Sequence, residues 1–178
     1  MRKTVLTFGL ICGAVLSVMM AVTVPFADRI GFEASAVVGY TTMVLAFLLI
    51  YFGVRSYRDN VAGGRVGFGR AFAVGALIVA VASICYVATW QVVYHQFVPD
   101  FAEQYAAHAV EKERASGASE AVVAAKRAQM DQFVEAYKNP LVNIAYTFLE
   151  PLPVGLLIAL VSAAVVSRTR TSGGRTTS

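Results

Sequence analysis

VLTFGLICGAVLSVMMAVTV, Val5 to Val24, is a run of 20 residues without a single charge. A helix needs about 20 apolar residues to cross a hydrocarbon core about 30 Å thick, so this stretch reads as a first membrane span. Three further blocks repeat the pattern. Val37 to Val54 is bounded by Glu33 before it and by Arg55, Arg58 and Asp59 after it. Ala71 to Trp90 is the third, and its apolar pattern runs on through Val92, Val93 and Phe97 to Pro99. Ile144 to Ser167 is the fourth, interrupted by Glu150, Pro151 and Pro153. Composition points the same way: 57% of the 178 residues are hydrophobic, 15% are charged and the mean hydropathy is +0.63, where soluble domains carry about 25% charged residues. Because the apolar residues are gathered into blocks rather than spread in a binary pattern, an ordinary soluble domain is excluded. The expected fold is all-α, an integral membrane four-helix bundle with spans at about 5–24, 37–54, 71–98 and 144–167.

Basic residues near span ends stay cytoplasmic, and here they are strongly segregated. Four spans put both termini on one side. That side holds Arg2, Lys3, Arg55, Arg58, Arg65, Arg70, Arg168, Arg170 and Arg175 against Asp59 alone, a net of +8. The opposite side holds six basic residues against nine acids, and Glu150 completes the chain's +4. Both termini are therefore expected in the cytoplasm, with the arginines facing anionic lipid headgroups. The positive charge is a topology signal and no reason to invoke nucleic acid. The apolar run of the first span exceeds the about 7 to 15 residues of a signal peptide and no A-x-A site follows, so it reads as a retained anchor. Gly9 to Cys12 is a faint likeness of a lipoprotein cleavage box, too near the N-terminus and with the bulky Ile11 before the cysteine. Cys12 and Cys85 are expected at different depths, about 9 Å apart at 1.5 Å per residue, and unpaired.

From Pro99 to Asn143 the composition turns soluble and helix-favouring, rich in Ala, Glu, Gln and Lys. Asp100 and Ser119 are candidate caps, Gly117 offers a stop, and Pro140 bounds the second helix. Residues 99–143 thus read as an extramembrane αα-hairpin inserted between spans three and four. Val123, Met130, Val134 and Tyr137, with Phe133 beside them, recur at helical spacing, a stripe expected to pack mainly on the protein itself.

Glu150 most needs an explanation, because a carboxylate inside an apolar segment is costly and is often functional. Its depth turns on where the fourth helix begins. Entry at Asn143 puts it about 10 Å below the surface, whereas a span from Pro151 alone leaves it at the interface. Matched depth near the end of span three makes His95, Tyr94 and Gln91 its candidate companions in a polar pocket, with a Glu150–His95 pair as the specific hypothesis. The competing reading of Trp90, Tyr94 and His95 is an interfacial aromatic belt. Gly9, Gly13, Ser17 and Ala21 form a small-residue ridge that lets another helix approach, expected within the chain ahead of a dimer. Gly63 to Gly69 is glycine-rich but lacks the Gly-Lys-Ser/Thr ending of a phosphate-binding loop. His95 and His108 stand apart from other ligand types, so neither a metal nor another cofactor is expected.

Gly39-Tyr40 with Met43, the run Tyr51 to Asp59, Phe68-Gly69 with Phe72 and Gly75, Tyr86 with Trp90, Phe97 to Phe101, and Glu150-Pro151-Leu152-Pro153-Val154-Gly155-Leu156 with Ser162-Ala163 resemble the bacterial membrane family called domain of unknown function 4199. The resemblance covers nearly the whole chain. It implies a small four-span protein of the inner membrane with an outer loop between spans three and four, and it implies no activity. The residues themselves favour a non-enzymatic binding or scaffold protein with a membrane or periplasmic partner, compatible with an oligomer. The alternative is a small proton-coupled transporter in which Glu150 alternates between protonated and charged forms. An intramembrane enzyme comes last, for want of a nucleophile and base at recognisable spacing.

Overall fold

The computed structural model describes residues 1–24 and 31–168; Arg29, Arg170 and Arg175 lie outside the described residues. Within them the chain forms α1 (Arg2–Thr23), α2 (Phe32–Phe47), α3 (Leu49–Asn60), α4 (Phe68–Gln96), α5 (Phe101–Ala115), α6 (Glu120–Tyr137), α7 (Pro140–Leu149) and α8 (Leu152–Arg168), and no strand. Four helical stretches are long and apolar enough to cross a membrane: Arg2–Thr23, Glu33–Asn60, Phe68–Gln96 and Pro140–Arg168. Their outer faces carry exposed apolar side chains such as Leu10, Val18, Leu45, Phe52, Ile84 and Leu157, the surface a lipid-facing bundle requires.

The span limits differ from the sequence reading at turns and prolines. The second span is two helices joined at Leu48, whose N–H is shared between the Val44 and Leu45 carbonyls while its own carbonyl accepts from Tyr51 N at 3.2 Å. That tightening to a three-residue step marks the junction of the two helices. Helix α4 starts three residues earlier than expected, at Phe68, and ends at Gln96, because Pro99 disfavours helical backbone at Val98. The fourth span is the long version, beginning at Pro140 with Asn139 Oδ1 accepting from Leu141 N at 3.0 Å. Pro151 and Pro153 then interrupt it, since neither has an N–H for the carbonyls of Thr147 and Leu149 four residues back.

Helix α4 is the centre of the bundle, and glycines set how close its neighbours come. A Cβ built on Gly9 or Gly13 of α1 would fall 2.6 Å from the Cβ of Val81 or Cys85, so the small-residue ridge is consumed within the chain. Gly75 of α4 meets Ala159 of α8, and Gly155 of α8 meets Val79 of α4, each with a built Cβ inside 3 Å. Around these seams Phe47, Ile50, Val54, Val74, Ile78 and Val79 are fully buried. The pairing of α1 with α4 is parallel and corrects the cysteine depths: Gly13 lies opposite Cys85, so Cys12 and Cys85 sit at nearly one level. They remain free thiols because Cys12 Sγ turns to the Ala46 carbonyl at 3.3 Å. At the arginine-rich end, buried Arg58 donates from Nε to Asp59 Oδ1 at 2.7 Å and reaches the Val166 carbonyl at 3.5 Å, tying α3 to the C-terminal turn of α8 where a cation is favoured.

Helices α5 and α6 form the expected hairpin, turning at Gly117, whose φ of +80° suits glycine. Asp100 and Ser119 occupy the cap positions, but neither side chain makes the capping bond; Asp100 instead accepts from Gln104 Nε2 at 2.8 Å. The stripe on α6 faces inward. Val123 and Met130 pack on Ala106 and Val110, while Tyr137 joins Trp90, Met20, Val93 and Ala102 beneath the hairpin. Aromatic rings make that joint: Trp90 meets Phe101 edge-on with centroids 4.8 Å apart, and Tyr94 meets Tyr137 edge-on at 5.7 Å, geometries in which ring edge and face attract.

Candidate functional site

No residue of α2 from Glu33 to Thr42 is buried, and its packing begins only at Met43, Ala46 and Phe47. The first turns of α2 thus stand off from α1, and the gap between them is a cavity of about 430 Å³. Leu16, Met19 and Met20 of α1 form one wall, Gly39, Tyr40 and Met43 of α2 the other, and Tyr86 and Trp90 of α4 the back. Phe101, Tyr105, His108 and Lys112 of α5 roof it, and Glu150 enters from the joint of α7 and α8. Its size and mostly apolar, aromatic lining suit a small-molecule site with a few polar groups.

Two polar loci lie in this groove. At the mouth, Lys112 Nζ donates to Glu33 Oε1 at 2.6 Å, and His108 Nε2 lies 3.6 Å from the same oxygen. The Glu33 carboxylate raises the Lys112 ammonium above the ordinary lysine value, through a hydrogen bond first and charge second. Both side chains are exposed, so the pair is a weak tie of the hairpin to α2. Deeper in the groove, Tyr86 Oη donates to Glu150 Oε2 at 3.1 Å. Among the described residues no lysine, arginine or histidine pairs with Glu150. Ser35 Oγ, also on the groove wall, is shielded from solvent and makes no hydrogen bond among the described residues.

The structure parts the four residues that the sequence groups at one depth. Glu150 lines the groove, but its partner is Tyr86, so the hypothesised Glu150–His95 pair does not form. Gln91 Nε2 donates to Asn143 Oδ1 at 2.7 Å, so Asn143 stands opposite Gln91 and Glu150 lies two turns deeper. Tyr86 and His95 are nine residues apart on α4, about 180° around and about 14 Å along the helix, and cannot both face the carboxylate. His95 is exposed, with Nδ1 2.8 Å from the Gln91 carbonyl of its own helix. Tyr94 belongs to the aromatic joint under the hairpin. In the same joint, burial pushes the Tyr137 phenol up to about 12, so it stays a neutral hydroxyl.

Sequence reading passed over Tyr86, Tyr40, the Glu33–Lys112 tie and Asn143 as site residues. Asn143 was legible in principle as a polar residue in an apolar helix; it is buried, and Thr147 Oγ1 donates to its carbonyl at 2.9 Å. Tyr86 carries no such signal, since a tyrosine near a span end reads as an interfacial anchor. Chemically, the groove offers a carboxylate with one phenolic donor, set among aromatic and thioether side chains. That arrangement can hold a cation or exchange a proton. Among the described residues no three metal-ligating side chains converge.

The family model described as "Protein of unknown function (DUF4199)" matches residues 7–168. No curated protein and no solved structure matches the chain.

Proposed function

The chain belongs to the DUF4199 family, and since membership brings no activity with it, we propose a function from the groove: a non-enzymatic membrane protein that binds an amphiphilic guest between α1 and α2. The observation that carries this is the unfilled space beside the first turns of α2, lined by Leu16, Met20, Met43 and Trp90 and sized for a small molecule. The remaining assignments go with it. The chain sits in a bacterial inner membrane with its arginine-rich end and both termini cytoplasmic, supported by the segregation of basic residues. Those arginines attract anionic headgroups, and the hairpin stands on the opposite side, open to a protein partner there.

Trp90 is the sole tryptophan and lines the groove, so its fluorescence reports occupancy. In detergent micelles a neutral brominated alkylbenzene is expected to quench Trp90 saturably. Gly39→Phe adds a ring at the groove wall, at a position where a built Cβ meets nothing within 4 Å. This variant is expected to fold normally and to lose the saturable component. Equal saturable quenching in both proteins would overturn the groove as the binding site.

Proton-coupled transport is a second reading, favoured by the placement of Glu150 within an apolar helix at a proline break. Liposomes holding the protein should then show substrate-driven proton flux that disappears in Glu150→Gln. Flux retained in full by that variant, or no flux at all, would remove this reading and leave simple binding.

A further inference from the structure

Glu150 occupies a position that invites a positive guest. It is the C-terminal cap of α7, where the helix dipole already places negative charge. Pro151 and Pro153 add to this by withholding donors from the carbonyls of the preceding turn. A carboxylate is unfavourable on both counts, and it is costly again inside an apolar segment. Within the described protein its single hydrogen bond comes from a neutral phenol, Tyr86. The compensating charge is therefore not supplied by this chain's described side chains, and the space in front of the carboxylate is the groove.

Resting on the groove as a binding site, we propose that its guest is a hydrophobic organic cation, a tertiary or quaternary ammonium with an apolar tail, held with its charge at Glu150. Aromatic side chains accompany the carboxylate there: Tyr40, Tyr86, Trp90, Phe101 and Tyr105 line the same cavity, and ring faces attract alkylammonium groups once water is excluded. Leu16, Met19, Met20 and Met43 supply the adaptable apolar surface for a tail. Other occupants fit less well. A bare metal ion needs several oxygen ligands, and Glu150 with one phenol falls short. An anionic amphiphile meets the carboxylate's charge directly. A cavity of about 430 Å³ holds a small molecule and not a partner's helix.

The test uses two brominated probes of one shape, a bromophenylalkyl trimethylammonium and its uncharged tert-butyl isostere, each titrated against Trp90 fluorescence of the full chain in neutral detergent. The cation is expected to bind about tenfold tighter than the isostere or better, the scale of one desolvated charge contact. Glu150→Gln keeps the shape and an oxygen for the Tyr86 hydroxyl, and should bring the ratio of affinities to about one, while a cooperative unfolding transition in mixed micelles shows that the variant is folded. Glu150→Asp, which keeps the charge, should retain most of the preference. Saturable isostere binding without cation preference in the unaltered chain overturns the cation assignment and leaves the groove as a binding site. A preference undiminished in Glu150→Gln overturns it as well, by placing the charge contact elsewhere. Failure of both probes to bind overturns the groove reading itself.

Discussion

Gly75→Leu is expected to leave little assembled protein. Gly75 faces α8 so closely that a built Cβ would stand 2.8 Å from Ala159 Cβ, 3.3 Å from Ala159 Cα and 3.3 Å from Ile50 Cγ2. Ala159 has no rotamer with which to yield, so relief requires α8 to move off α4. Movement there also opens the reciprocal contact of Gly155 with Val79, on which the same seam depends. The cost is expected at or above the top of the range of about 1–3 kcal/mol for overpacked cores. In a bilayer little hydrophobic force opposes the separation, because association rests on close packing and lipid tails solvate a parted helix well. Gly69→Leu, on the same helix with nothing within 4 Å of a built Cβ, is the matched control and should be silent. Unfolding in mixed micelles by added ionic detergent measures both. A midpoint for Gly75→Leu equal to that of the unaltered protein would show that α4 and α8 do not meet along this seam.

Phe47→Ala carries the second large effect, through loss instead of crowding. Phe47 is fully buried among Ile50, Ile78, Val79 and Ala159, and a Cβ built on Gly155 would lie 3.1 Å from its ring. Removing the ring leaves a void that α8 cannot fill, since Ala159 and Gly155 already lie against α4. Phe→Ala changes in close-packed interiors cost about 3–5 kcal/mol. The lower end is expected here, because the unassembled helix keeps its ring in hydrocarbon and forfeits mainly dispersion contacts. Phe52, one turn and a half further along the span and 53% exposed, gives the contrast: Phe52→Ala should unfold at the same detergent fraction as the unaltered chain.

The contrast between those two phenylalanines bears on what could be read in advance. Both sit in the same apolar block, and the block alone identifies a span; nothing in its composition says which ring faces α8 and which faces outward. The small-residue ridge of α1 was visible as Gly9, Gly13 and Ser17, while its parallel partner α4 and the level of Cys85 opposite Gly13 depended on the axial register of the two helices, in which the first turn of α4 projects past the start of α1. The hairpin was legible because its caps, its Gly117 stop and its α6 stripe are local signals, each acting within a few residues. Glu150 stood out for the same reason, as a charge in an apolar run beside two prolines.

Its surroundings did not, because they join residues from helices distant along the chain. Tyr86 faces Glu150 and His95 does not, by half a turn of helical phase and a two-turn difference in depth, quantities set by how α4 and α7 pack. The groove exists because the first turns of α2 stand away from α1 while α5 closes over them, a matter of helix placement for which no residue in α2 is a marker. Thus the sequence by itself determined the number of spans, their segregated charge, the hairpin and the presence of one misplaced acid, all of which follow from transfer energies and helix periodicity acting locally. Tertiary structure alone decided which side chains meet that acid, because contact between helices depends on rotation, register and separation, and these emerge only when glycine seams and aromatic joints pack together.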